Sequence, residues 1–169
     1  MTPERTEPST TADERSMLDG RLEYHRETLA WKCSGLDDAQ LRQAAVPPSE
    51  ISLLGLVRHM AEVERGWFRR TLAGEEAPAL FYTDEDPDAD FHVTEADTWE
   101  EAHARWQTEI TYAREVVAGL SLDDLTKGEH RSGKTFNLRW IYTHMIEEYA
   151  RHNGHADLIR QRVDGETGE

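Results

Sequence analysis

Four stretches of this chain repeat apolar residues at spacings of three, four and seven, and none alternates β-branched residues with a period of two. A helix advances about 100° per residue, so such spacings gather side chains on one face. Leu18, Leu22, His25, Leu29 and Leu36 mark a first helix. Leu53, Leu56, Met60, Val63 and Trp67 mark a second, opened by Ser49 or Ser52 after the Pro47-Pro48 break and ending near Ala73 and Gly74. Trp99, Ala102, Trp106, Ile110, Ala113, Val117 and Leu120 form a third, for which Asp97 followed by Glu100 is the expected start. Leu138, Ile141, Met145, Tyr149, Ala156, Ile159 and Val163 form a fourth, capped by Asn137. An apolar stripe must be covered, and four of them with long connections predict an all-α four-helix bundle.

The predicted bundle spans residues 15–164 as one domain, between a flexible tail over 1–14 and a short tail over 165–169. The acidic stretch from Pro78 to Glu95, with Asp84, Glu85, Asp86, Asp88 and Asp90 around Pro87, is expected to be a long solvated connection, with a cover over the functional site by Asp84 to Asp90 as the alternative. Cys33 is the one cysteine, which excludes an intrachain disulfide and reads as a small buried hydrophobe. No apolar run suits a signal peptide or a membrane span, so a cytoplasmic protein is expected. The formal charge of −15 disfavours nucleic acid and anionic lipid as partners. A small-molecule substrate and a homodimer remain as expectations.

The informative residues are those that interrupt the stripes. His152 shares the seven-residue row of Leu138, Met145 and Ile159, and Glu148 lies one turn earlier on the same side. Burying a carboxylate costs several kcal/mol unless it is paired or coordinated, and a metal ion would compensate Glu148 and His152 together. His59, on the flank of the second stripe, is the best-placed facing ligand. Two imidazoles and one carboxylate suit zinc, with a fourth position left for water or substrate; nickel, iron and manganese would also accept the set. A hydrogen-bonded buried polar pair is the alternative.

His25, His144, His155 and Tyr149 are pocket candidates, with Trp67 and Trp140 as further wall residues, and no catalytic residue is assigned among them. His92, His103 and His130 are expected at exposed or rim positions. Residues 128–135, GEHRSGKT, satisfy the phosphate-loop pattern letter for letter. The segment before them is polar and no βαβ alternation exists, so a turn leading into the last helix is predicted, and no nucleotide cofactor.

Two segments carry a resemblance. HMAEVERGWF from His59 to Phe68, with LRWIYTHMIEEYARHNGHADLIR from Leu138 to Arg160, resembles an actinobacterial-type branch of the DinB-like superfamily. That resemblance implies a four-helix bundle with a metal site built from one residue of the second helix and two of the last. Its ligand positions fall on His59, Glu148 and His152. The commonest superfamily pattern has three histidines followed by a glutamine; here Glu148 replaces the middle histidine and His155 stands at the glutamine position. The resulting set is similar to that of mycothiol-dependent maleylpyruvate isomerases, which use zinc beside a low-molecular-weight thiol. Those enzymes carry a further C-terminal domain, which the residues after the fourth helix are not expected to supply, so the isomerase activity itself is not implied. The resemblance leaves a thiol-handling role open, and a metal with an open position, which lowers the pKa of a bound thiol, makes a transferase using a small thiol of the mycothiol or bacillithiol type the expected function. The rival expectation is a non-catalytic, metal-binding dimeric bundle with a structural or sensing role.

Overall fold

A computed structural model describes residues 5–168. Five helices appear among them and no sheet; the one β-type pairing is an isolated bridge between Leu125 and Asn137. The expected first helix is α1, Glu14–Cys33, begun by the Asp13 carboxylate accepting from the Ser16 N–H; it stops before Leu36, counted in its stripe, because Gly35 takes a φ of 76°. A short α2, Asp38–Leu41, was not evident from periodicity because one turn has no repeat; a reciprocal capping box between Asp37 and Gln40 makes it.

The second stripe becomes α3, Leu53–Glu64, capped by Ser52, and continues as a π-helical stretch, Arg65–Ala73, that stops at Gly74 in the left-handed region. The third is α4, Trp99–Val117, which ends before Leu120, the last residue of its expected stripe, where the chain turns with the Leu120 N–H donating to the Val117 carbonyl. Its cap is Thr98, whose hydroxyl accepts from the Glu101 N–H, and not the expected Asp97. Asp97 is engaged elsewhere, accepting from the Thr94 N–H and pairing with Arg58 at 3.0 Å. The fourth is α5, Leu138–Asp164, capped by Asn137 as expected.

Helix α1 packs on α5, α3 packs on α4, and α3 meets α5 across the bundle. The largest buried side chains are Trp106, Tyr142, Tyr149 and Phe68. Among the described residues, no helix is long and apolar enough to cross a membrane.

Part of the expected N-terminal tail is not free. Arg5 lies over the rings of Tyr24 and Trp31, and the Thr6 N–H donates to Glu27, so residues 5–13 run along α1. Residues 1–4 and 169, also assigned to tails, lie outside the described residues.

The phosphate-loop look-alike is packing. No strand precedes it, the Gly128 N–H donates to the Thr71 carbonyl, and a Cβ at Gly128 would stand 1.9 Å from the Arg70 carbonyl oxygen. Glycine is required there by close backbone approach, and Gly133 by a φ of 68°.

Candidate metal centre

Residues four apart on a helix form a ridge. On α5 the ridge runs Trp140, His144, Glu148, His152; on α3 and its π-helical continuation it runs His59, Val63, Trp67. The two ridges meet. The rings of His59 and His152 are 4.7 Å apart between centroids in an edge-on arrangement, and those of Trp67 and His144 are 4.6 Å apart. His152 Nε2 lies 3.6 Å from one oxygen of Glu148, and His144 Nε2 lies 3.4 Å from the other. His59, Glu148 and His152 each present one ligand atom, all within 4.8 Å of one another.

The nitrogens left free favour a shared ligand. His59 Nδ1 donates to Asp90 at 2.8 Å, and His152 Nδ1 faces His155 Nδ1 at 3.3 Å, leaving an Nε2 on each ring. For an ion bonded at about 2.0–2.2 Å to each ligand, the three atoms need draw inward by less than about 1 Å. The donor set therefore fits a divalent cation. The His152 imidazole beside Glu148 holds its carboxyl below the ordinary glutamate range, which keeps it an anionic donor. Burial, with His152 beside it, pushes His155 below the ordinary imidazole value.

The pocket candidates divide. His144 and His155 stand next to the cluster through the contacts just given. His25 does not: it lies between α1 and α5, where its carbonyl accepts from Asn153 Nδ2 at 3.0 Å. Tyr149 does not either. It is fully buried in the core, donating to Glu64 at 2.7 Å and accepting from Trp106 Nε1 at 2.8 Å, because it points away from the Glu148 ridge. His92 is exposed and bonded to Asp86, as expected of a rim residue, and His103 stacks on Trp99.

Three participants were not read from the sequence. Asp90 was assigned to a solvated connection, yet it is buried against His59. Phe91 beside it stacks on the His59 ring at 4.5 Å. His130 stacks on Trp67 at 5.0 Å and joins Phe136, Trp140 and His144 in a wall of rings beside Glu148. An aromatic at 91 directly after an acid was the only available signal for the first two. Cys33 is buried, as expected, and burial pushes its thiol up to about 12, so it supplies no nucleophile.

The family model described as Mycothiol-S-transferase matches residues 17–165, which takes in every residue of this cluster and its surroundings. No curated protein matches the chain.

Proposed function

The chain belongs to the mycothiol-S-transferase family, and on that premise we propose that it joins a low-molecular-weight thiol, of the mycothiol or bacillithiol type, to an electrophilic small molecule. The observation that carries this reading is the convergence of His59, Glu148 and His152 within 4.8 Å, inside the matched region. These three residues would hold a divalent ion, with zinc the best match to two imidazoles and one carboxylate. Bound there, the ion supplies the positive charge that lets a thiolate exist at neutral pH.

The chain's own residues do the rest. Glu148 contributes a single negative charge, so two neutral imidazoles and one carboxylate leave one positive charge for the incoming thiolate. His144, which contacts Glu148 without belonging to the ligand set, is placed to take the thiol proton. The sulfur then forms its bond to the electrophilic carbon as the leaving group departs with the bonding pair. The ring wall of Trp67, Phe136 and Trp140 offers an apolar surface against which the electrophile lies beside the thiol. A cytoplasmic setting, where small thiols are kept reduced, suits this chemistry.

Metal analysis of the purified protein beside His59→Ala and Glu148→Ala tests the reading, followed by thiol consumption with a chromogenic electrophile. We expect about one equivalent of metal in the parent, none in the variants, and thiol-dependent turnover in the parent alone. A parent that stays metal-free after zinc and nickel reconstitution sinks the ligand set. A metal-loaded parent that neither responds to nor consumes thiols sinks the transferase and leaves a structural or sensing site.

A further inference from the structure

We propose that Asp90 is a positioning residue for His59: it fixes the tautomer and orientation of that ring from a connection held down along α3. This rests on the proposed metal site. Asp84, Glu85 and Asp88 of the acidic connection are exposed, and Asp86 pairs with exposed His92, whereas Asp90 is buried. Turning a carboxylate inward costs several kcal/mol unless a partner compensates it. Here the partner is His59 Nδ1 at 2.8 Å.

The placement is enforced at both ends. Glu62 accepts from the Leu80 and Phe81 N–H groups, Arg58 donates to the Ala89 carbonyl at 2.9 Å, and Arg58 also pairs with Asp97. Gly55 admits the backbone of the same segment, since a Cβ there would lie 3.3 Å from the Phe91 carbonyl oxygen. Positions 55, 58, 59 and 62 share one side of α3, so a single helix face docks the connection and carries the ligand.

The chemistry follows from what each group can do. A carboxylate only accepts, so the proton of a neutral His59 resides on Nδ1 and its lone pair on Nε2. The anionic acceptor also makes the imidazole a stronger donor to a cation, and Phe91 stacked on the ring opposes its rotation. Asp90 therefore acts through His59 without joining the ligand set.

The test is zinc affinity, read by competition with a chromophoric chelator, for the parent, Asp90→Ala, Asp90→Asn and His59→Ala, with cobalt(II) absorption and the thermal midpoint of each metal-free protein. We expect Asp90→Ala to bind zinc about 10–100-fold more weakly with an altered cobalt spectrum. Asp90→Asn keeps an oxygen that accepts from Nδ1–H, and we expect it to recover most of the affinity and the parental spectrum. If Asp90→Ala binds as tightly as the parent while His59→Ala does not, the positioning role is wrong and the metal site stands. If Asp90→Asn falls to the level of His59→Ala, Asp90 is itself a ligand and the proposal is again overturned. A parent that binds no zinc removes the metal site first. Should Asp90→Ala fail to fold, the asparagine variant alone decides between recovery and loss.

Discussion

Glu64 and Glu109 in the core and Glu148 at the candidate site are built on opposite terms. In the core, Glu64 is fully buried and grips Arg26 through both oxygens at 2.8 and 2.7 Å, with Tyr149 donating to it as well. Glu109 is nearly as buried and is held by Arg65 and Arg69 at 2.8 and 2.6 Å. Glu148 has imidazoles for neighbours and, among the described residues, no guanidinium paired with it. Arginine stays charged at every working pH and neutralises its carboxylate for good. Histidine can be neutral, so Glu148 keeps a charge that a cation can use. Burial of an acid thus does not identify a metal ligand: an arginine partner neutralises the charge inside the core, while a histidine partner leaves it available to a cation, as at Glu148, or to an imidazole that it orients, as at Asp90.

The sharpest way to break this contrast is to strip a core acid of its arginine. Arg26→Met leaves Glu64 buried without its cation and should cost about 3–5 kcal/mol of stability, read by urea denaturation, while the folded fraction still binds zinc. A variant of parental stability would mean that Tyr149 alone suffices for Glu64. Removing the site acid should do the reverse. Glu148→Gln should weaken zinc binding by at least about 100-fold, beyond what loss of an outer-shell partner costs, with the metal-free midpoint little changed; a large loss of stability would place Glu148 with the core acids.

Acidification separates the two regions more gently. His25, His103 and His155 are held below the ordinary imidazole value of 6.5, first of all by burial. Their folded values are depressed, so their contribution is intact above 6.5 and is lost as pH falls through the folded values, because the unfolded chain binds protons more readily. His92 has the opposite sign, raised by Asp86, but it is exposed. We expect the metal-free midpoint to drop by a few degrees between about pH 7 and pH 5.5, with the arginine pairs untouched; a flat profile would contradict the burial argument. Cys33, a buried group used by neither region, should show the least: with its thiol near 12, a disulfide reagent should leave it unmodified until denaturant is added. Rapid labelling of the native protein would show that α1 opens.

The sequence revealed what periodicity can carry. The four long helices were legible because Leu, Ile, Met and Trp keep register over many turns, and the convergence of His59, Glu148 and His152 was legible because Glu148 and His152 put polar groups on an apolar side, His59 flanks the facing stripe, and the family resemblance marks the same three positions. Glu64 shows the limit. It is more buried than Glu148, yet it passed unnoticed because its partner is thirty-eight positions earlier in sequence, on α1. Asp90 was hidden for a related reason: a connection has no period, and its inward turn is decided by Arg58, Glu62 and Gly55 on another element. Tyr149 carried two readings, an apolar position of the fourth stripe and a candidate pocket wall; the register reading is the one that holds, since it lies in the core against Glu64 and Trp106.

The π-helical stretch between the His59 end of the site and Gly74 closes each turn of hydrogen bonds around one residue more than an α-helix does. It is thus a place where a lineage can gain or lose a single residue and rotate everything after it by about 100°, leaving everything before it still. Descendants of one ancestral bundle could exchange Trp67, and with it the surface proposed to meet the electrophile, while His59 stays in place for the proposed ion.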